Sequence, residues 1–391
     1  MQEVGRSMSL DGNELYKQRE ERIQAAINLK TPDRVPVICT ECDFAWSFAN
    51  MSQREFMYDN EKMMRAYKKF YEEFQTDAAY FHPILFHPLF YALEFPCQIK
   101  IPGEDLPEDS VFQIFEKEIM TEKDYKHAKT RGYIWTVMNL LPKLRPGIPD
   151  VKNKFMDSIR LRFEDEDTLA NYKTFKEEWG WPLWYGGGME SPFSVLCLAR
   201  SYKKLVHDIY RTPDIVKQTV ERFTQDIIKM SIGGCVANGV KRSVIGLHRE
   251  GCSNFSLKIF EEIALPMIKE IVNAHVKENI ITILHCDGDW NLNLPYLLEL
   301  PKKKCVVDLD DSTDIFKAKE VLGDKFCISG NVMERLLSFG TPQKVEDHCK
   351  KLIDIVGEGG GFVLKGEAPR EAKAENIKAM VNVAKNYRVD K

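Results

Sequence analysis

Nowhere in the 391 residues do about 18 or more apolar residues follow one another, the length a membrane-spanning helix needs. The opening "MQEVGRSMSLDGNELYKQREERIQ" has no apolar core of the kind a secretory signal carries. Charge of one sign is also scarce: 55 Lys and Arg against 59 Asp and Glu leave a net −4. That excludes an electrostatic case for nucleic acid or an anionic membrane. The ten cysteines are spread along the chain rather than gathered into a disulfide framework, which reads as reduced, cytoplasmic thiol usage. Internal repeats and low-complexity tracts are missing as well.

What the chain has is rhythm. Eight short apolar runs alternate with longer helical patterns: 35–41 (VPVICTE), 77–81 (DAAYF), 182–187 (PLWYGG), 242–248 (RSVIGLH), 280–286 (IITILHC), 304–310 (KCVVDLD), 325–331 (KFCISGN) and 361–367 (GFVLKGE). Each is continuously apolar, the mark of a parallel strand covered on both faces. The segments between begin with helix starts such as Thr212-Pro213 and end at glycine. Eight alternations predict a (β/α)8 TIM barrel, with a doubly wound open sheet as the competing architecture. Residues 1–391 read as one barrel domain. Residues 1–30 form an N-terminal helical extension, and 82–181 a helix-rich, aromatic-rich insertion capping the barrel between the second and third strands.

Barrel active sites lie at the C-terminal ends of the strands, and here those ends are crowded with ionisable groups. The fifth run ends in "ITILHCDGDW". Residues two apart on a strand share a face, so a metal held by His285 would be shared with Asp287, and Cys286 would turn away to pack. Glu367 ends the last strand, which ring closure brings to the same barrel face. Glu250, two beyond His248, is read either as a further metal ligand or as a partner to one. Asp310 and Asp311 are candidates to hydrogen-bond the second nitrogen of His285. Glu41 ends the first strand and is a candidate substrate or metal contact; Asn331 is read as a turn residue.

"ERIQAAINLKTPDRVPV", "LHCDGDW", "GNV…LSFGTPQKVEDHCKKLI" and "GGFVLKGEAP…ENIKAMV" together resemble the uroporphyrinogen decarboxylase-like superfamily, over most of the chain except the insertion. The resemblance is to its corrinoid-dependent methyltransferase branch, and within it to the methyltransferase I component of anaerobic aromatic O-demethylases. It implies a zinc ion, and a corrinoid carried on a partner protein as methyl acceptor. The decarboxylases have an arginine-rich segment after the first strand; here that region reads "TECDFAWSFANMS", with no arginine before Arg54. In members that activate a thiol, a His-x-Cys…Cys zinc site falls on His285, Asp287 and Glu367, so this chain replaces both cysteines by carboxylates. Carboxylate and imidazole suit oxygen chemistry, which implies an O-methyl donor with His285, Asp287 and Glu367 as catalytic metal ligands. Methanol, methylamine or methylthiol donors, a thiol acceptor and porphyrinogen decarboxylation are the alternatives. Phe44, Trp46, Tyr80, Phe81, Tyr185, Met189 and Trp290 are then candidates to hold a methoxylated ring.

Overall fold

Six of the eight apolar runs form strands where the pattern places them; the other two differ. The computed structural model describes residues 11–80, 82 and 88–387. Its nine strands are β1 (Val37–Thr40), β2 (Gln98–Lys100), β3 (Gln113–Phe115), β4 (Gly187–Glu190), β5 (Arg242–Leu247), β6 (Ile281–Cys286), β7 (Cys305–Leu309), β8 (Cys327–Val332) and β9 (Phe362–Glu367). Seven of them curl into one parallel sheet in the order β1-β9-β8-β7-β6-β5-β4, with helices on its outside. This is an α/β fold of the TIM-barrel type.

Of the run 77–81, the described residues 77–80 do not make a strand. It spans the gap between β1 and the approach to β4 through isolated hydrogen bonds: Asp77 N–H to the Val37 carbonyl (2.7 Å), Ala79 N–H to Pro182 (2.9 Å) and Trp184 N–H to Ala79 (2.6 Å). Two features stop a regular ladder. Pro182 has no N–H to donate, and the Asp77 carboxylate takes the Val37 N–H at 2.8 Å. The run 182–187 accordingly becomes strand only at its last residue, Gly187. There the sheet lies close on the helix Pro213–Asn238: a Cβ on Gly187 would sit 2.0 Å from the Ser231 carbonyl oxygen. Glycine at this place is a packing requirement.

The unbroken apolar character of the strands has a simple cause. Ile38, Ile283, Val306, Cys327 and Val363 fill the barrel interior, together with Tyr80 and Trp184. Their alternates Val37, Cys39, Leu284, Cys286, Val307 and Leu364 pack outward against the helices. The helix Gly12–Ile27 buries Ile23, Ala26 and Ile27 against the interior cluster and closes the N-terminal end. Between Tyr80 and Leu183 the described residues form the α-helices Pro88–Glu94, Tyr125–Arg131, Tyr133–Leu144, Val151–Glu164 and Glu166–Lys173, and the antiparallel pair β2–β3. Among the described residues no helix is long and apolar enough to cross a membrane.

The outer core contains a histidine with a consequence for stability. His275, on the helix Leu265–Lys277, is fully buried. Its Nε2 lies 2.8 Å from Ser231 Oγ and its Nδ1 3.0 Å from Thr282 Oγ1. Burial pushes its pKa down to about 4, below the ordinary value of about 6.5. The unfolded chain therefore binds the proton first. The stability due to neutral His275 is complete above about pH 6.5 and is lost as pH falls toward 4. At pH 5 the loss amounts to about 2 kcal/mol. Urea unfolding at pH 7 and pH 5 checks this: His275→Gln is expected to remove that part of the acid sensitivity, and an unchanged pH 7-to-5 difference would assign it elsewhere.

Candidate metal centre and its cavity

The inward-facing positions that carry Ile283 and Val306 lower in the barrel carry His285 and Asp308 one step higher. His285 and Asp308 stand opposite each other in the β6–β7 register. Asp308 Oδ2 accepts from His285 Nδ1 at 2.7 Å and from Lys365 Nζ at 2.8 Å. Asp308 and Lys365 are both fully buried. Lys365 also pairs with Glu367 at 3.1 Å. With Nδ1 committed to Asp308, His285 turns Nε2 toward Asp287, whose Oδ1 is 3.3 Å away. A carboxylate on the far nitrogen of a ligating histidine fixes both tautomer and ring orientation.

The second imidazole is His248, which follows β5. Its Nδ1 donates a short hydrogen bond to Asp287, and its Nε2 is 2.7 Å from Glu190 Oε2. Glu190 sits opposite Gly246 in the β4–β5 register. A Cβ on Gly246 would lie 2.4 Å from Glu190 Oε2, so the missing side chain is what lets the glutamate in. The His248 and His285 rings meet edge to face, 5.6 Å between centroids. Burial alone would lower the His248 pKa, but Glu190 and Asp287 together raise it well above the ordinary value. For His285, burial and Lys365 work downward, and Asp308 and Asp287 still raise it. Burial works to raise the Asp287 pKa, but the two imidazoles hold it well below the usual carboxylate range. In Lys365, the carboxylates of Asp308 and Glu367 overcome burial and hold the ammonium charged.

Among the described residues, the group of metal-ligating side chains whose donor atoms lie within 4.8 Å of one another is His248, His285 and Asp287. Two imidazoles and a carboxylate are a borderline-to-hard donor set that suits zinc. The pairs that now hold protons on the imidazoles would hold a divalent cation in their stead, because ligation requires deprotonated ligands. The residues present therefore fit a metal.

The structure brings His285 and Asp287 together, and adds His248 and Glu190 to them. It does not bring Glu367 or Glu250 into the same reach. Glu367 is turned to Lys365. Glu250 is buried beneath the helix Pro192–Arg200, accepting from Ser191 Oγ, from Ser194 Oγ (3.0 Å) and from the Arg249 N–H (3.0 Å). The partner of His285 Nδ1 is Asp308, not Asp310 or Asp311; Asp310 accepts instead from the Gly288 and Ser312 N–H groups. Asn331 donates to the Asp310 carbonyl. Glu41 is buried and accepts a short hydrogen bond from Tyr71. Cys286 packs outward, fully buried. Cys39 and Cys42 stand at Cys-x-x-Cys spacing; Cys39 is buried, and burial raises its thiol pKa well above the ordinary value.

Above His248 and His285 opens a cavity of about 550 Å³. Tyr80, Tyr185 and Met189 line it, with Phe90, Tyr91, Phe95, Phe112 and Tyr172 from the 82–181 segment. His82 ties the two sides together, its Nδ1 2.7 Å from the Tyr172 hydroxyl and its Nε2 2.9 Å from the Tyr185 carbonyl. Three other aromatic candidates are core residues. Phe44 packs among Phe48, Phe70 and Phe74; Trp46 is buried on the helix Cys42–Phe48; Trp290 is fully buried, its Nε1 donating to the Asp287 carbonyl at 3.0 Å. Phe81 lies outside the described residues.

The half-buried imidazole–carboxylate pairs thus stand at the C-terminal strand ends of a parallel barrel. The profile of the uroporphyrinogen decarboxylase (URO-D) family matches residues 168–387, and the chain belongs to that family. Uroporphyrinogen decarboxylase from Chlorobium phaeovibrioides is 26% identical over 255 residues, 62% of this chain and 68% of that protein. The methylcobamide:CoM methyltransferase MtbA of Methanosarcina mazei is 26% identical over 242 residues, 61% of this chain and 67% of that one. A solved methyltransferase from Methanosarcina mazei superposes with a TM-score of 0.69 at 18% identity, covering 94% of this chain and 98% of its own; that likeness shows the shared fold.

Proposed function

We propose that this protein is a methyltransferase that takes a methyl group from an O-methyl compound, an aromatic methyl ether, and delivers it to the corrinoid of a separate protein. The observation that carries the reading is the His248–His285–Asp287 group at the floor of an aromatic-walled cavity. The whole chain acts as one barrel domain, with the 82–181 segment as its cap.

His248, His285 and Asp287 would hold a zinc ion, which when bound supplies Lewis acidity toward the ether oxygen. Asp308 orients His285 and keeps its Nε2 turned to the site. Lys365 neutralises Asp308, so that the carboxylate stays ionised in a buried place. The aromatic side chains exclude water and hold a ring so that its methyl group faces the acceptor, a gain in orientation that lowers the barrier of a displacement. Glu190 stands behind His248 as Asp308 stands behind His285.

Two observations weigh on the alternatives. By the resemblance in sequence, Asp287 stands where thiol-activating members of the superfamily carry a cysteine ligand, which counts against a thiol acceptor. The segment after the first strand has no arginine before Arg54, which counts against a porphyrinogen with its many carboxylates. The test is methyl transfer to cob(I)alamin, followed spectroscopically across a panel of methoxylated arenes, methanol, methylamines and thioethers. Conversion of cob(I)alamin to methylcobalamin with methoxyarenes is expected. Transfer from a thioether or amine with none from any aryl ether would replace this reading.

A further inference from the structure

We infer that the methyl donor is longer than one ring: opposite its methoxyl group it carries an apolar extension that rounds the edge of β4 and ends at the protein surface beside Gly233 and Ala237. The inference rests on the proposed function and adds the shape of the substrate to it.

The cavity begins at the strand ends and finishes outside the sheet. His248 and His285 line one end of it; Met230, Gly233, Gly234 and Ala237 of the helix Pro213–Asn238 line the other. These two sets lie on opposite sides of the sheet. Val244 and Gly246, also in the lining, belong to the inward rhythm that leads to His248. Gly234 packs against the outside of the barrel wall, where a Cβ on it would sit 2.8 Å from the Gly187 Cα. One cavity touches both sides by passing the edge of the sheet, and β4 is the strand at which the sheet ends. Tyr80 and Tyr185, at the joint beside that edge, line the passage.

The start of β4 suits such a passage. Gly186, Gly187 and Gly188 follow one another in the lining, so these positions put no side chain in the way. The lining continues through Met189 to Glu190, whose carboxylate holds His248. From Gly187 to Glu190 is about 10 Å of strand, and the stripe from Gly233 to Ala237 spans about 6 Å of helix. The volume of about 550 Å³ lies in the range that encloses a drug-sized ligand, more than one methoxylated ring fills.

The lining also says what kind of extension is held. The cap segment contributes Ile134, Ile159 and Leu169, and the helix Pro213–Asn238 contributes Met230. Aliphatic walls favour apolar surface taken from water, and a methionine adapts to the shape it meets. Leu169, Gly233 and Ala237 are exposed as well as lining the cavity, so the cavity reaches solvent on this flank. A donor seated with its ether oxygen at the two imidazoles thus has an apolar passage open to the substituent on the far side of its ring.

The experiment is calorimetric binding of two alcohols to the zinc-loaded protein, without any corrinoid. One is 4-methoxybenzyl alcohol; the other, 6-(4-methoxyphenyl)hexan-1-ol, sets the same hydroxyl further from the same ether on a longer methylene chain. The long alcohol is expected to bind about 100-fold more tightly, from the burial of its added methylenes less the ordering of the chain. Gly233→Phe and Ala237→Phe, four residues apart on one helix face, fill the outer end. Each is expected to cost the long alcohol about 30-fold and the short one at most about threefold, with melting temperature as the check on folding. Gly233→Ala, which adds one methyl group, keeps the advantage of the long alcohol. Equal affinity for the two alcohols, or no binding of either, overturns the inference and leaves the proposed function standing if methyl transfer from methoxyarenes is seen. An advantage that both phenylalanine variants keep also overturns it, because the chain then lies elsewhere. The expected pattern, with no methyl reaching cob(I)alamin from any ring, supports the extended occupant and removes the proposed function.

Discussion

His248→Ala is expected to empty the metal site, with metal affinity falling more than about 100-fold, whereas Glu367→Ala keeps it filled. The wild-type chain should be isolated with about one zinc per chain, and the two variants compared by elemental analysis and by competition with a chromogenic chelator. His285→Ala should behave as His248→Ala does, because both imidazoles face Asp287, whose two oxygens they share. Removing either leaves one imidazole and one carboxylate, too few to close a site. Methyl transfer should fall with the metal, by at least about 100-fold. Asp308→Asn keeps both imidazoles but weakens the hold on His285, and should cost about 10- to 100-fold in affinity. Full zinc in His248→Ala together with its loss in Glu367→Ala would restore the ligand set His285, Asp287 and Glu367. Far-ultraviolet circular dichroism separates loss of metal from loss of fold.

Lys365→Met should be the most destabilising single change in the barrel interior, at about 3–5 kcal/mol. Lys365 and Asp308 meet at 2.8 Å with neither side chain exposed. Taking away the ammonium leaves Asp308 charged in a buried layer above Val306 and Val363, with the His285 hydrogen bond still made to it. The double variant Lys365→Met with Asp308→Asn removes the stranded charge and is expected to regain at least half of the loss. Urea unfolding of the two single variants and the double one gives the coupling directly. Additive losses would mean that the pair contributes nothing beyond its separate side chains.

Much of this arrangement was legible in the sequence, and the parts that were not have physical reasons. Strand parity places His285 and Asp287 on the inner face and Cys286 on the outer one, because the side-chain period of a strand is fixed. Parity fails once the strand ends. His248 still follows the inward rhythm of Val244 and Gly246; two residues further on the chain has turned, and Glu250 is carried under a helix. Counting back from His285 to its register partner would have found Asp308, whereas reading forward along the loop favoured Asp310 and Asp311. The aromatic residues show a different limit. Phe44, Trp46 and Trp290 follow apolar runs, Tyr80 and Tyr185 lie within them, and composition does not tell a ring that packs a helix from one that walls a cavity. The buried lysine in "VLKGE" went unread because a lysine in an apolar run is visible as an anomaly only when its partner, 57 residues away, is known.

The joint between β1 and β4 has a mechanical consequence. Elsewhere around the ring each strand is gripped on both edges by a continuous ladder, so that moving one strand means moving its neighbours. At residues 77–80 the grip is reduced to single hydrogen bonds through Asp77, Ala79 and Trp184. The hoop is therefore stiff around most of its circumference and compliant along one side. Tyr80 and Tyr185 flank that side, and both are walls of the cavity. Any change in the width of the cavity would fall at this joint, because β5, β6 and β7, which carry or directly precede His248, His285, Asp287 and Asp308, are held by their own ladders.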